Sequence, residues 1–533
     1  MVTTKDWKQY FPYPEIRPIQ EKSINLILNS FVNSNIRYFL LNGPPGSGKS
    51  AIAITISKYF ENIGVSNSIF NKTSWILTTQ KILQQQYQKD FSWLPSVWSK
   101  SNYECVKRVG VSCQLGLWMN SIFKGTYCNC VYLKDKKKFL EGNISLTNIS
   151  FFINHVEYGH GEISQRKLLI VDECHVVDES ITNFVSIKLN KYIILDYGIL
   201  WVGTSKSIQE VVLWIKTELL PPLTILKNKI SNDIKASDKN TILGTPEGRN
   251  LVKRFDDIDR YMCQLNRCVE RFNKDEWVMS INSAYDEISL KPIFSSRYSY
   301  NQLFCMGEKI LLMSGTLLDK ETFCRNVGIP EHNAEFVSLE SPFELKNRPI
   351  FYINVGSMSY KNIDETLPKM VVVIKDIIFS EDHKRDKGII FSHTYKNAKY
   401  IYDHIKTKRF LLHDSSNRME VYNFHLNSKE PTILLSPSLT EGIDLFDNLS
   451  RFQIIVKVPF PYLGDKFVIE KMKRIKNWYN WETIKTIIQA SGRSIRNVDD
   501  YSITYILDKD FEFFYKNNIS MFPVWWRNSV QSV

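Results

Sequence analysis

Residues 38–50, YFLLNGPPGSGKS, limit what this chain can fold into more than any other stretch. Phe39-Leu40-Leu41 reads as a buried strand, and residues 43–50 then fit G-x-x-x-x-G-K-[ST]. Gly43, Gly46 and Gly48 let the backbone turn tightly and aim its amides at phosphate oxygens. Lys49 can reach the β and γ phosphates, and the Ser50 hydroxyl can ligate Mg²⁺. Residues 51–60, AIAITISKYF, read as a helix whose N-terminus adds its dipole to the site. A glycine-rich turn matching by chance would need neither the strand before it nor the helix after it. The stretch is a nucleotide site, ATP with Mg²⁺ is its expected occupant, and the fold around it is α/β.

With 533 residues the chain is too long for one core, and about three or four domains are expected. Lys plus Arg exceeds Asp plus Glu by 68 − 56 = 12, a surplus that suits a polyanionic partner such as nucleic acid. A few basic surfaces on an ordinary enzyme would give the same total. The best candidate membrane spans are broken by Asp196 and by Lys375-Asp376, so no membrane partner is expected. Residues 1–18 lack a basic-then-apolar layout, which points to the cytoplasm or a nucleus. In such a compartment the nine cysteines are not expected to form disulfides.

Ahead of the glycine loop, Arg17 and Gln20 lie three apart at the start of a helical pattern. A glutamine offers both a donor and an acceptor, which reading an adenine edge requires. Residues 74–79 read as a second strand, with Thr78 and Thr79 at the end where open α/β sheets place ligand contacts. Residues 92–143 break the α/β rhythm, and strand-like residues 144–152 and 167–171 restore it. From 181 to about 292 the pattern is mostly helical, including 189–200, 205–220 and 251–272. The sheet returns at residues 309–317, and a second α/β series starts near Arg348. Its strands are expected at 349–354, 388–394, 409–413, 432–436, 452–458 and 503–507. Two doubly wound domains follow, joined around residues 340–343.

Asp172 and Glu173 follow the apolar run Leu168-Leu169-Ile170-Val171. In a P-loop enzyme the first carboxylate at such a strand end holds Mg²⁺, and the next can orient or deprotonate the attacking water. In the C-terminal half, Gln489, Arg493 and Arg496 fall at intervals of four and three, so one helical face could present all three. An arginine there could neutralise charge on the γ-phosphoryl group; the plain alternative is a basic helix face. Residues 436–444, SPSLTEGID, read as a strand running into a loop, where Glu441 and Asp444 could contact ribose or couple the two domains.

The order RPIQ (17–20), GPPGSGKS (43–50), ILTTQ (76–80), DECH (172–175), MSGTL (313–317), FSHTYKNA (391–398), SPSLTEGID (436–444) and QASGRSIR (489–496) resembles the XPD/DinG group of superfamily 2 DNA helicases along nearly the whole chain, nearest to phage and bacterial DinG-like forms. A bacterial or virus-infected cell is therefore the expected setting. The resemblance implies two RecA-like P-loop motor domains, ATP between them, single-stranded DNA across their tops and 5′→3′ translocation. It also implies a Cys-rich iron–sulfur insertion and a mainly helical, Arch-like one. The implied boundaries are 1–91, 144–185 and 293–340 for motor domain 1, 92–143 and 186–292 for the insertions, and 341–533 for motor domain 2. Position by position, Arg17 and Gln20 would recognise the base; Lys49, Ser50 and Asp172 would hold MgATP; Glu173 would be the general base. His175, Ser314 and Thr316 would couple hydrolysis to strand movement, and Gln489, Arg493 and Arg496 would face the γ-phosphate. Gly442 and Asp444 join the nucleotide set, while Thr78, His393, Ser436 and Thr440 are candidates for the DNA track. Cys174 stands where the group usually has alanine, and so small a residue should be tolerated.

Cys105, Cys113, Cys128 and Cys130 are spaced C-x₇-C-x₁₄-C-x-C. The resemblance implies a [4Fe–4S] cluster on these thiolates. Zinc is the rival, since four thiolates also close a tetrahedral site, and the tight final C-x-C puts one of Cys128 and Cys130 in question as a ligand. Cys263 and Cys268 read as core residues, and Lys134 to Lys138 as either a solvated face or a phosphate contact. Single-stranded and forked DNA are the implied partners, and RNA–DNA hybrids fit a grip on the backbone. A translocase that strips proteins or resolves R-loops is the alternative to a processive helicase. A decayed motor acting only as a binding module is disfavoured by the intact Lys49, Asp172, Glu173, Gln489 and Arg496.

Overall fold

A computed structural model describes residues 7–34, 36–62, 70–79, 81–106, 111–122, 130–159, 161–237, 242, 245–282, 284–437, 445, 447–492 and 500–532. In chain order the strands of the first part are β1 (Tyr38–Asn42), β2 (Ser74–Thr78), β3 (Ile144–Asn148), β4 (Arg166–Asp172), β5 (Ile187–Asn190), β6 (Trp277–Asn282), β7 (Glu287–Pro292), β8 (Gly307–Ser314) and β9 (Ala334–Ser338). Those of the second part are β10 (Ile350–Gly356), β11 (Gly388–Phe391), β12 (Phe410–Leu412), β13 (Ile433–Ser436), β14 (Phe452–Ile455), β15 (Ile503–Asp508) and β16 (Val530–Ser532).

The first sheet runs β3-β2-β4-β8-β1-β9, every pair parallel. Its strands are apolar almost without a break because helices cover both faces. Phe39, Leu41, Ile76 and Ile170 meet the helices Pro18–Val32 and Lys49–Asn62, while Leu40, Leu77 and Val171 face Phe152, Val177 and Ile181 on the opposite side. The second sheet, β12-β13-β11-β14-β15-β10-β16, is also wholly parallel. Two RecA-like α/β units result, as the nucleotide motif and the second series of strands required. The other strands of that series form where the sequence placed them; β16, a short C-terminal strand beside β10, escaped notice.

Two readings need correction. Residues 144–152 are not one strand: β3 stops at Asn148, whose side chain accepts a hydrogen bond from the Phe151 amide at 2.8 Å and starts the helix Ile149–Tyr158. Residues 181–292 are mostly helical, as expected, but hold strands as well. Beside the helices Leu220–Ala236 and Pro246–Arg271 they contain an antiparallel sheet, β5-β7-β6, and residues 189–200 divide into β5 and the short helix Lys191–Asp196. Alternating burial along β7 was the available signal. Among the described residues no helix is long and apolar enough to cross a membrane.

Arg166 ties the end of the Cys-rich stretch to the first sheet. Its fully buried guanidinium stacks on Trp75 at 3.3 Å. It donates to the carbonyls of Ser74 (2.8 Å), Asn143 (2.9 Å), Phe139 (3.4 Å) and Leu140 (3.4 Å). The last two belong to the C-terminal turn of the helix Val131–Glu141, where a cation complements the dipole. Burial alone lowers the pKa of this arginine to about 9. Arg166→Met strands several buried carbonyls and is expected to cost about 3 kcal/mol of stability in denaturant titrations.

Candidate functional site

The order β4-β8-β1 places three neighbouring C-terminal strand ends side by side, and the loops leaving them build the site. Gly43 N donates to Ser314 O at 2.9 Å, joining the ends of β1 and β8. Gly46 and Gly48 have φ of 75° and 80°, and both are tightly covered. A Cβ would stand 2.2 Å from Phe343 Cζ at Gly46 and 2.0 Å from Gln20 Nε2 at Gly48. Arg17 Nη1 donates to Gly46 O at 2.9 Å, and Gln20 Oε1 accepts from Arg17 N at 3.0 Å. Arg17 and Gln20 therefore brace the outside of the glycine loop. Pro18 at the first helical turn sets their spacing.

Lys49 Nζ donates to Gly43 O at 3.3 Å and lies 3.4 Å from Glu173 Oε1. Asp172 is buried at the end of β4; Tyr87 OH donates to its Oδ2 at 2.9 Å and Glu173 N to its Oδ1 at 3.0 Å. Burial raises the Asp172 carboxyl to about 6 against the opposing pull of Lys49. Tyr87 is raised well above its usual range by the same burial, and it also bonds the Ser50 side chain. The sequence reading missed Tyr87, which follows three glutamines in the helix Lys81–Asp90. Ser50 and Asp172 thus flank one phenol, and their hard oxygen donors fit Mg²⁺.

Glu173 adopts a left-handed backbone, φ 55°, a costly conformation for a residue other than glycine. Its Oε2 accepts from Ser314 Oγ at 3.3 Å and lies 3.3 Å from His175 Nδ1. His175 Nδ1 and Ser314 Oγ are 2.7 Å apart, and Thr316 N donates to the same hydroxyl at 3.1 Å. From the second domain, Gln489 Nε2 approaches His175 Nε2 to 2.7 Å. His175 is thus bonded on both ring nitrogens, to Ser314 through Nδ1 and to Gln489 through Nε2. One polar path therefore runs Gln489–His175–Ser314–Glu173–Lys49, through four of the sequence motifs.

Gln489 is carried by the helix Trp478–Ser491, the last described element before residues 493–499. Arg493 and Arg496, with Thr440, Glu441, Gly442 and Asp444, lie outside the described residues. The three remaining DNA-track candidates sit at or just beyond C-terminal strand ends but differ in surroundings. Thr78 is buried, and buried Ser436 lies 3.4 Å from His413 Nε2. His393 lines a cavity of about 200 Å³ with Pro437, Lys457 and Thr486. Its backbone is left-handed, φ 71°, and burial, then the Lys457 ammonium, lowers its pKa.

Of the four cysteines, Cys128 lies outside the described residues. Cys113 and Cys130 are buried with sulfurs 3.5 Å apart, and a Cβ at Gly116 would lie 2.6 Å from Cys105 Sγ. Soft, buried thiol donors suit an iron–sulfur cluster or zinc chemically. Among the described residues Cys113 and Cys130 come together, and no group of three or more potential ligands is assembled.

Residues 13–197 match the family described as type III restriction enzyme, res subunit, and residues 380–529 the helicase C-terminal domain. The chain is 21% identical to a probable ATP-dependent helicase of Methanocaldococcus jannaschii, over 95% of this chain and 93% of that protein. It is 26% identical to the regulator of telomere elongation helicase 1 homolog of Caenorhabditis elegans, over 53% of this chain but only 32% of that longer protein. A solved XPD helicase structure superposes with a TM-score of 0.63 at 16% identity, covering 98% of this chain and all of the other, a likeness of fold.

The polar path has a kinetic consequence. Ser314→Ala should leave ATP affinity nearly unchanged and lower the hydrolysis rate about tenfold, the size of a typical coupling between sites. Steady-state assays separating kcat from KM check this.

Proposed function

We propose that this chain, a superfamily 2 helicase of the XPD/DinG type, uses ATP hydrolysis to move 5′→3′ on single-stranded DNA and to open forked duplex ahead of it. The observation that carries the reading is the contact of Gln489 with His175, which links the second domain to the carboxylates of the first. A nucleotide bound at residues 43–50 would touch the same charges, so its hydrolysis changes how the two domains hold each other.

Lys49 neutralises phosphate charge, and Ser50 and Asp172 would hold Mg²⁺, which when bound offsets charge on the β and γ phosphates. Glu173 takes the proton of the attacking water, with Ser314 and His175 orienting its carboxylate. Arg493 and Arg496 meet the γ-phosphate from the second domain, and Gly442 and Asp444 complete that side. Arg17 and Gln20, fixed against the loop, present their remaining polar groups to the base. Thr78, His393, Ser436 and Thr440 follow the DNA backbone; the cavity at His393 and Lys457 supports His393 most directly. We assign residues 92–143 and 186–292 to the Cys-rich and Arch-like insertions, with a [4Fe–4S] cluster in the first and zinc as its alternative.

Purified protein should hydrolyse ATP at least tenfold faster with single-stranded DNA than without, and Lys49→Ala should abolish the stimulated rate. Glu173→Gln should lower kcat by about 10² or more while nucleotide still binds. Hydrolysis indifferent to DNA would sink the motor reading. For the insertion, anaerobically purified protein should contain iron and acid-labile sulfide, and Cys113→Ser should lose both. Zinc in their place would select the alternative.

A further inference from the structure

The helix Lys466–Arg474 of the second domain is held on two sides by groups outside the nucleotide site. Toward the first domain, Lys471 Nζ lies 2.6 Å from Asp178 Oδ2, with side chains only 3% and 13% exposed. The rings of Trp478 and Phe467 stand 5.1 Å and 5.4 Å from the same ammonium. Asp178 belongs to the helix Val177–Val185, which begins two residues after His175 and runs on into β5. Toward the insertion, Ser280 Oγ on β6 donates to Oδ1 of Asp465, the residue capping the helix Lys466–Arg474, at 3.1 Å. Arg474 Nη1 donates to Asp275 O, and Lys291 Nζ on β7 lies 5.3 Å from the Phe467 ring.

The antiparallel sheet of the insertion is therefore attached twice. Through β5 it continues the helix behind the DECH box, and through β6 and β7 it rests on the second domain. A buried ammonium tolerates loss of its carboxylate poorly, because the remaining charge has no solvent to replace it. Movement of the second domain relative to Asp178 is thus resisted at Lys471, and whatever movement occurs reaches β6 through Asp465 and Arg474.

We propose that Lys471 is a positioning residue which locks the second domain to the helix behind the DECH box and passes nucleotide-driven movement on to the β5-β7-β6 sheet. The inference rests on the ATP-motor reading above. No other ion pair as buried on both sides joins the two domains among the described residues.

Hydrogen–deuterium exchange of the full chain, with and without Mg²⁺ and a non-hydrolysable ATP analogue, tests it. In the wild type the analogue should slow exchange at residues 46–52 and also change exchange at residues 277–282 by about threefold or more. In Lys471→Met the first effect should persist and the second disappear, whereas Lys471→Arg should keep both. Should the lone Asp178 charge prevent folding of Lys471→Met, the neutral pair Lys471→Met with Asp178→Asn gives the same reading. An equal response at 277–282 in wild type and Lys471→Met overturns the proposal, as does a wild type that responds only at 46–52. No protection at 46–52 sinks the ATP reading itself, and this inference with it.

Discussion

The approach of Lys49 to Glu173, 3.4 Å between charged groups that follow two strands with β8 between them, is the constraint around which the first domain is arranged. It exists because β1, β8 and β4 are parallel neighbours, so their loops leave from one edge of the sheet. The ammonium rests against the Gly43 carbonyl, the carboxylate is held in a left-handed backbone, and Ser314 from the intervening strand receives both histidine and amide hydrogen bonds. A phosphate entering this cradle competes with Glu173 for Lys49, which would leave the carboxylate to act on water. Charge and geometry are thus coupled before the second domain is considered.

The second domain reaches this cradle through Gln489. Gln489 contributes one amide to His175, and that contact joins the second domain to the His175–Ser314 pair. Cations elsewhere in the molecule do structural work. Arg166 is satisfied by carbonyls rather than carboxylates, and Arg409 similarly gathers the backbone oxygens of Ile378, Pro431, His383 and Asp386. These two arginines are therefore part of the basic count without being part of a DNA surface. Lys457, beside His393 at the cavity, is a cation that geometry connects to the proposed track.

What the sequence could show was local. The glycine loop, the carboxylates after four apolar residues and most parallel strands depend on contiguous patterns of residues, and they stand where expected. The antiparallel sheet pairs Ile187 with Leu290, and Lys471 meets Asp178 across 293 positions; neither leaves a periodic trace in a single chain. Tyr87 was hidden because a phenol after three glutamines looks solvated until β4 brings Asp172 beneath it. The spacing of Gln489, Arg493 and Arg496 suggested one helical face, of which Gln489 is the described member. For the cysteines, spacing named the donors and only the Cys113–Cys130 approach could be added from the fold.

The central claim is that the path from Lys49 to Gln489 converts hydrolysis into directed movement. Unwinding of matched duplexes bearing either a 5′ or a 3′ single-stranded tail tests it most directly, with Glu173→Gln as the control that binds ATP without turnover. Opening of the 5′-tailed duplex alone, dependent on ATP and lost in the variant, is the predicted result. Opening from the 3′ tail, or strand separation that persists in Glu173→Gln, would contradict it.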